Sequence, residues 1–321
     1  MKAAVLHQFG LPPRYEDVPD PIPNERETML HMRAAALKNI DRMMADGSHY
    51  DRHPELPAIV GIDGIGTLDD GTRVYCGGLR PPYGTMAERA AVTNRFFMPI
   101  PDDVDDLTAA ALPNPALSSW LPLQWRAKLE PGETVLILGA TGVAGRLAIQ
   151  IAKHLGAGRV IGAGRNPESL HELRDLGADA VISLDQDDDA LHAAFIREGG
   201  EHGYDIVLDY LWGHPTEVLV EALTGHDVMA RTSRTRLVQI GEMAGATIQL
   251  PASALRSSAL EIYGSGGGSI PHEAIFETFP RLWEAAASGH LRIDCEAVPL
   301  ADVERAWIRP QSPGKRLVFV P

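Results

Sequence analysis

The sequence predicts an α/β protein in which a doubly wound parallel sheet follows a mainly β first half. Between residues 133 and 155 a buried strand, a glycine turn and a helix follow one another directly. From about Pro115 onward, apolar strand-like runs alternate with helical stretches, a pattern typical of parallel strands joined by right-handed crossovers. Before that point, short strand candidates are separated by turn sequences. These three patterns indicate two domains.

In the first half, the strand candidates are AAVLH, TMLHMRAAAL and TRVYC, and the breaks include PDPIP and PELP. Two acidic runs, at 102–106 and 185–189, each precede a helical pattern. Carboxylates favour the positive N-terminus of a helix, so we interpret both runs as helix starts. Calcium loops require a different spacing of ligands.

In the second half, the strand candidates are TVLIL, RVIGAG, AVISL, YDIVLDYL, RLVQIG and ALEIYGS. A glycine cluster follows at 264–269, then one more helical segment at roughly 272–288, then strand-like pieces ending in KRLVFVP. We expect this tail to rejoin the first domain. The predicted division is therefore a mainly β domain of residues 1–114 and 269–321, with a dinucleotide-binding domain of residues 115–268 inserted into it.

The glycine turn predicts a phosphate-binding site. A strand at 134–138 leads into it, and a helix with an apolar stripe at Val143, Leu147, Ile151 and Leu155 leads away from it. A phosphate must approach the N–H groups at the helix N-terminus, and a Cβ at the turn would hold it away. The spacing GxxGxxG is specific only in this strand-to-helix context; otherwise it is an ordinary tight turn. The residues assigned to the turn are Gly139, Ala140, Thr141, Gly142, Val143, Ala144 and Gly145.

The end of the second strand favours NADPH over NADH. An NAD site usually places Asp or Glu about 20 residues after the first glycine, where it holds the ribose diol. Here the sequence reads IGAGRN, so the guanidinium group of Arg165 offers several N–H donors suited to a 2′-phosphate. We assign Arg165 and Asn166 to the cofactor site. The alternative is that Arg165 is a solvated residue at a helix start.

The composition excludes several classes of function. A net charge of -14 repels a phosphate backbone, so nucleic acid is not expected as a partner. No apolar run approaches the length of a membrane span or a signal peptide, so we expect a cytoplasmic protein that does not enter a membrane. Cys76 and Cys295 are the only cysteines, which argues against a disulfide framework or a site built on several thiolates.

Several stretches together carry a family resemblance that covers nearly the whole chain. They are KAAVLHQFG, KNIDRMMADG, PAIVGIDGIG, DGTRVY, YGTMAERAAV, MPIPDDV, GATGVAGRLAIQIAKHLGA, LRDLGADAVI and GKRLVFV. The sequence resembles the zinc-free quinone oxidoreductase (zeta-crystallin-like) branch of the medium-chain dehydrogenase/reductase superfamily. The resemblance implies a GroES-like domain formed by both chain ends, with an inserted Rossmann domain and the active site in the cleft. It also implies a homodimer joined along the strand ALEIYGSG.

The same resemblance implies residues at the reacting centre. Asn39 and Asp41 are expected beside the nicotinamide. The family often has a tyrosine soon after the glycine matching Gly47, and here either His49 or Tyr50 occupies that place as a proton donor; Tyr50 could equally be a rim aromatic. The backbone of two strand ends is expected to line the nicotinamide, and Lys315 lies near the cleft or on the surface. The strand-end residues are Ile240, Gly241, Ser265, Gly266 and Gly267. The family often has a lysine where this chain has Ser169.

Zinc is not expected, because the ligands of the zinc-dependent relatives are missing. Those relatives carry a cysteine where this chain has Lys38 to Ile40, and a His-Glu pair where it has Ile62 and Asp63. A catalytic zinc needs three protein ligands and a structural zinc needs four. A local alternative, in which His49, Asp51 and His53 converge on a metal, has no visible fourth partner.

These observations predict an NADPH-dependent, zinc-independent oxidoreductase acting on a small, electrophilic acceptor. Without a Lewis acid the acceptor must already be activated, which favours a quinone or an electron-poor C=C or C=O compound. One alternative is an enoyl-thioester reductase with Tyr50 as the acid. Another is a redox-silent protein that only binds NADPH, since a fold alone does not establish activity.

Overall fold

The computed structural model describes residues 1–94, 96–224, 234–310 and 312–321. The chain divides into two compact units. The terminal unit comprises Met1–Pro113 and Ile293–Pro321, and the inserted unit comprises Asn114–Arg292. The described residues contain no helix with the length and apolar character needed to cross a membrane.

Strands are numbered in chain order over the described residues. They are β1 (Lys2–Leu6), β2 (Arg14–Asp17), β3 (Glu27–Ala36), β4 (Ala58–Ile59), β5 (Asp63–Thr67), β6 (Arg73–Gly77), β7 (Arg89–Thr93), β8 (Phe97–Pro99), β9 (Thr134–Leu138), β10 (Arg159–Gly164), β11 (Ala180–Ser183), β12 (Ile206–Asp209), β13 (Arg234–Gln239), β14 (Ala259–Gly264), β15 (Asp294–Pro299) and β16 (Lys315–Val320).

Helices are numbered in the same way. They are α1 (Asn39–Asp46), α2 (Asp106–Ala111), α3 (Pro113–Leu121), α4 (Val143–His154), α5 (Pro167–Glu172), α6 (Asp188–Gly199), α7 (His214–Thr224), α8 (Ala252–Ser257), α9 (His272–Ala287) and α10 (Val303–Ile308). A π-helical turn, Pro122–Arg126, follows α3, and a 3₁₀ turn, Leu300–Asp302, precedes α10.

The terminal unit is mainly β, as predicted. One sheet has the order β2-β1-β4, and a larger one runs β15-β16-β3-β5-β6-β8, with β7 also paired to β3. The prediction that the chain's tail rejoins this unit is confirmed, because β16 pairs antiparallel with β3, with Val318 opposite Ala36. The tail therefore completes a sheet that the first hundred residues begin.

The inserted unit is a parallel sheet with the order β11-β10-β9-β12-β13-β14, which confirms the doubly wound fold. The predicted strands appear because their apolar runs are buried on both faces; Val135, Leu136, Ile137 and Leu138 of β9 are all fully buried. Residues Leu147 and Ile151 of the predicted helical stripe are likewise buried in α4.

Both acidic runs are helix starts, as interpreted. The Asp105 carboxylate accepts hydrogen bonds from the backbone N–H groups of Leu107 and Thr108 at the start of α2. The Asp187 carboxylate accepts from the N–H of Ala190 at the start of α6. Each carboxylate satisfies N–H groups that a helix leaves unpaired at its first turn.

The observed division differs from the predicted one at its second boundary, which lies at 292/293 rather than 268/269. Helix α9 belongs to the inserted unit, because polar contacts from the helix and from the segment that follows it hold it there. Arg281 donates to Gln124 Oε1 at 2.8 Å, and Gln150 exchanges hydrogen bonds with the backbone of Arg292. The glycine cluster at 264–269 marks the end of strand β14 and does not mark the end of the inserted unit.

Candidate functional site

Most of the residues predicted to bind the cofactor meet at one edge of the parallel sheet. Gly139 follows β9, Arg165 follows β10, Gly241 lies just beyond β13, and Ser265 follows β14. The carboxyl ends of parallel strands share one edge, so these positions line it together. The strand order reverses between β9 and β12, and the edge beside such a reversal is where open α/β sheets bind ligands.

In the glycine turn after β9, neighbouring parts of the chain lie too close to two of the glycines to leave room for a side chain. Gly139 has a φ of +85°, which favours glycine, and a Cβ there would lie 3.1 Å from Leu211 Cδ2. A Cβ at Gly145 would lie 2.3 Å from the carbonyl oxygen of Gly139 and 2.5 Å from Ala140 Cα. Gly145 is therefore needed for α4 to pack against the end of β9.

Gly142 has a different environment. It is the N-cap residue of α4, and a Cβ there would contact only the Gly139 carbonyl oxygen, at the ordinary distance of 3.5 Å. The side facing away from the protein is open. Gly142 is thus the position in the turn at which an outside group can approach the backbone.

The N-terminus of α4 has the donors that a phosphate requires. This helix is 12 residues long and has no side-chain cap. The N–H groups of Val143, Ala144 and Gly145 occupy its first turn, where a helix provides no internal acceptor. These N–H groups and the positive end of the helix dipole suit an anion. The residues present therefore fit the pyrophosphate of a dinucleotide.

The turn after β10 exposes Arg165 to solvent. The next residue, Asn166, caps α5, because its Oδ1 accepts from the N–H of Ser169 at 2.8 Å. Ser169 is buried, so it does not offer a second exposed group beside Arg165. Arg165 is the exposed cation of this turn, and the side-chain oxygen of Asn166 is used within the fold.

At the other end of the sheet edge, the backbone of β13 and β14 is held by hydrogen bonds. The N–H groups of Ile240 and Gly241 donate to the carbonyl of Asp209 at 2.8 and 3.2 Å, and the N–H of Ser265 donates to the carbonyl of Gln239 at 2.9 Å. Gly266 follows, tied to Ser269 by its N–H at 2.9 Å. Gly267 has open space where a Cβ would lie.

Two further residues at this edge were missed by sequence reasoning. Tyr210 follows β12, and its hydroxyl shares a 2.7 Å hydrogen bond with Ser119 and donates to the carbonyl of Ser118 at 3.0 Å. Burial raises the pKa of Tyr210 to about 12. Asp209, whose pKa burial also raises, accepts from the N–H groups of Leu211 and Trp212. A tyrosine after an apolar strand gave no distinguishing signal in the sequence.

In the terminal unit, Asn39 is the exposed first residue of α1, whereas Asp41 is only 2% exposed. The Asp41 carboxylate accepts from the backbone N–H of Lys38 at 2.8 Å and of Ile62 at 3.1 Å. Asp41 therefore holds the start of α1 against the segment before β5. Its carboxylate is buried and hydrogen-bonded within the terminal unit, and its place beside the nicotinamide stays a prediction.

His49 and Tyr50 lie in the loop that follows α1 at Gly47. Their ring centroids are 4.2 Å apart, and Tyr50 is 84% exposed. His49 Nδ1 accepts from the N–H of Asp51 at 3.1 Å, and burial lowers the pKa of His53. Within the described ranges, no three His, Cys, Asp or Glu residues gather as metal ligands.

Lys315 begins β16, where its Nζ lies 3.8 Å from Oε2 of Glu296 and both side chains are partly exposed. This arrangement is that of a surface ion pair. Lys38, in contrast, is buried, and its Nζ lies 2.7 Å from Oδ1 of Asp63. Lys38 and Asp63 belong to the two stretches, 38–40 and 62–63, in which the resemblance implies zinc ligands in the zinc-dependent relatives. A protonated lysine has no lone pair for a metal, so this donor set does not fit zinc.

Comparison with known proteins agrees with this geometry. Residues 144–288 match the family described as Zinc-binding dehydrogenase, a stretch that includes neither Lys38 nor Asp63. A probable NADPH-dependent quinone reductase of Emericella nidulans is 27% identical over 361 residues, covering all of both chains. The quinone oxidoreductase of Thermus thermophilus, also solved in complex with NADPH, has a TM-score of 0.81 and 28% identity, with full coverage of both chains.

A probable oxidoreductase from Mycobacterium abscessus has a TM-score of 0.81 and 26% identity over all of this chain and 99% of its own. These similarities extend over both units of the chain, including the glycine turn and the sheet edge that it lines. Over both units the chain is similar to quinone oxidoreductases, and the findings support a place beside that branch of the medium-chain dehydrogenase/reductase superfamily.

Proposed function

We propose that the chain is an NADPH-dependent, zinc-independent oxidoreductase that reduces a quinone or another activated carbonyl or alkene compound. The observation that carries the proposal is the uncapped N-terminus of α4 beside the open side of Gly142. The N-terminus of α4 and Gly142 lie at the edge of the parallel sheet where the strand order reverses. The exposed Arg165 lies at the end of the neighbouring strand, β10. When bound, NADPH supplies the hydride.

The chain's own residues bind and orient the cofactor. The N–H groups of Val143, Ala144 and Gly145 hold the pyrophosphate. Arg165 pairs with the 2′-phosphate, since an arginine directly follows β10 where an NAD site usually has a carboxylate to hold the ribose diol. The backbone at 240–241 and 265–267 lines the nicotinamide, and the hydrogen bonds to Asp209 and Gln239 keep that backbone in place.

Zinc independence is supported by the chemistry of the Lys38–Asp63 pair. The Lys38 ammonium is the cation beside the Asp63 carboxylate, so a divalent ion at this place would meet a positive charge instead of a ligand. The reaction must then use an acceptor that needs no Lewis acid. Quinones and electron-poor alkenes accept a hydride without one.

For proton delivery we propose Tyr50 or His49, the stacked pair in the loop after α1, with Asn39 near them in sequence. A quinone leaves a hydroquinone anion that takes its proton from water. An enoyl thioester leaves an enolate that needs a proton at carbon, so this second candidate requires a positioned acid. The exposure of Tyr50 leaves its hydroxyl accessible.

We also propose a homodimer in the cytoplasm. Strand β14 is the edge of the parallel sheet, and an exposed edge of this kind pairs readily with a second copy. Arg234 and Glu261 join β13 and β14 by paired hydrogen bonds of 2.6 and 2.7 Å, which link the edge strand to its neighbour. Light scattering tests the dimer, and a monomeric mass would contradict it.

A substrate panel tests the activity. The purified chain is mixed with NADPH and, in turn, a set of quinones, enones and enoyl thioesters, while NADPH absorbance is recorded. We expect turnover with quinones. Turnover confined to enoyl thioesters would support the second candidate, and NADPH binding without turnover would support a redox-silent protein.

A further inference from the structure

The segment 265–269, here called the glycine loop, is held by its own backbone and by one charged side chain. Within the loop, the Ser269 hydroxyl accepts from the N–H of Gly266 at 2.9 Å, and the N–H of Ser269 donates to the carbonyl of Gly266 at 2.9 Å. A Cβ at Gly267 or Gly268 would meet nothing within 4 Å. Side-chain packing therefore contributes little to the order of this loop, and glycines lose much conformational entropy when fixed.

The charged side chain is Arg126, and its Nη2 donates to the carbonyl of Ser269 at 2.5 Å. A charged donor strengthens a hydrogen bond to a carbonyl. The Arg126 guanidinium also stacks over the ring of Trp125, with Cζ 4.7 Å from the ring centroid. The bond therefore attaches the last residue of the glycine loop, Ser269, to a separate element of the same unit.

Arg126 points toward the loop because of an unusual backbone turn. It ends the π-helical turn Pro122–Arg126, in which the N–H of Ala127 donates to the carbonyl of Pro122 at 2.7 Å. This i to i+5 hydrogen bond encloses one more residue than the i to i+4 bond of an α-helix, which changes the direction of the residues that follow. π-Helical turns are rare and occur frequently at functional sites.

We propose that Arg126 is a positioning residue that fixes the glycine loop and, through it, the nicotinamide for hydride transfer. The proposal rests on the proposed function, in which Ser265, Gly266 and Gly267 line the nicotinamide. Arg126 bonds the loop at Ser269, two residues beyond Gly267. Its contribution is to hold the loop in one conformation, so that the ring presents one face to the acceptor.

This role predicts a separation of affinity from rate. The phosphates are held at the glycine turn and Arg165, which Arg126 does not touch, so cofactor affinity should hardly change when the loop loosens. Hydride transfer depends on geometry, and a small misplacement of the ring can cost about a hundredfold in rate. Loss of Arg126 should therefore lower kcat much more than it raises the Kd or KM for NADPH.

The test compares Arg126→Met, which keeps an unbranched side chain, with Arg126→Lys, which keeps a donor. Arg281→Met is the matched control, because Arg281 contacts Gln124 on the same flank but not the loop. Three quantities are measured for each variant: the Kd for NADPH by fluorescence titration, the fluorescence anisotropy of bound nicotinamide, and kcat with a quinone. The stereochemistry of hydride transfer is followed with NADPH deuterated at either C4 position.

For Arg126→Met we expect Kd within about twofold of wild type, lower anisotropy, kcat reduced by about tenfold or more, and mixed stereochemistry. Arg126→Lys should recover part of the rate. Stiffening the loop by Gly268→Ala, a position with open space for a Cβ, should partly restore the Arg126→Met variant.

The proposal is overturned if Arg126→Met keeps wild-type anisotropy and stereochemistry, or if Arg281→Met produces the same losses. If Arg126→Met does not fold, Arg126→Gln, which removes the charge and shortens the side chain, is measured in its place. If the wild-type chain binds NADPH but reduces no acceptor, the proposed function fails, while the anisotropy of bound NADPH still tests the role of Arg126.

Discussion

The Nζ atom of Lys38 lies 2.7 Å from Oδ1 of Asp63, and both side chains are almost fully buried in the terminal unit, at 1% and 8% exposure. Removing one partner of a buried pair leaves an uncompensated charge, which typically costs about 3–5 kcal/mol. We therefore expect Lys38→Met to lower the free energy of unfolding of the terminal unit by an amount of this order. The double variant Lys38→Met/Asp63→Asn should recover most of it. Denaturant unfolding measures both.

The decrease in the free energy of unfolding caused by Lys38→Met should also depend on pH. Burial raises the pKa of Asp63, and the Lys38 ammonium opposes this shift. Without the ammonium, the folded state binds a proton at Asp63 more tightly than the unfolded state does, so stability is retained at low pH and lost as pH rises through the folded pKa. Unfolding of Lys38→Met should thus need less denaturant at pH 8 than at pH 5, relative to wild type. If Lys38→Met lost the same free energy of unfolding at pH 5 and at pH 8, this result would argue against an ionised Asp63 carboxylate in the folded protein.

Arg165→Asp should reduce the preference for NADPH over NADH. The substitution removes a charged hydrogen bond to the 2′-phosphate and adds a repulsive carboxylate, so NADPH binding should weaken by a few kcal/mol. Titration with both cofactors measures it. The matched control is Arg174→Asp, the same change at an exposed arginine beyond α5. Equal affinities for NADH and NADPH in the wild-type chain would contradict the assignment of Arg165.

Gly142 and Gly145 should respond differently to an added side chain. Gly142→Val should abolish cofactor binding and leave a folded protein, because the new atoms occupy the open side of the turn. Gly145→Ala should destabilise the protein, because its Cβ would lie 2.3 Å from the Gly139 carbonyl oxygen. Thermal unfolding and NADPH titration separate the two effects. Retained NADPH affinity in Gly142→Val would show that the turn is only structural.

Tyr50→Phe should change quinone reduction by less than about tenfold, because a hydroquinone anion takes its proton from water. Phenylalanine keeps the ring and its stacking on His49, so only the hydroxyl is removed. The measurement is quinone turnover at fixed NADPH, with the Kd for NADPH as control. A loss of about a hundredfold or more with unchanged Kd would instead support an enoyl-thioester reductase with Tyr50 as its acid.

Elemental analysis should find no stoichiometric zinc in the purified chain, and a chelator should leave the rate unchanged. The physical reason is that the Lys38 ammonium takes the place of a ligand beside Asp63. Zinc added back after chelation serves as the control. A tightly bound metal together with chelator-sensitive turnover would refute zinc independence and direct attention to His49 and His53.

The features that follow a local pattern were predictable from the sequence. The glycine turn, the strands of the parallel sheet and the caps at Asp105 and Asp187 each depend on residues within a few positions of one another. The position of Arg165 was also predictable from a local pattern, because a residue directly after a parallel strand must lie at the edge of the sheet.

Features that depend on burial or on an irregular backbone were not predictable. Asp41 carries the same carboxylate whether it faces a substrate or caps α1, and only the fold decides which. The contact between Arg126 and Ser269 joins residues 143 positions apart through a π-helical turn that no sequence periodicity indicates. The hydrogen bonds of Tyr210 with Ser118 and Ser119 likewise join elements far apart in the sequence.

The insertion of one unit into the other has a consequence for synthesis on the ribosome. Strand β16 pairs with both β3 and β15, so the larger sheet of the terminal unit lacks two strands until residues 294–320 have been translated. The inserted unit is continuous, and domains generally fold as units during translation. We expect the dinucleotide-binding unit to be folded while β3 still exposes the edge that β16 will cover, which makes the nascent terminal unit the stage most vulnerable to aggregation.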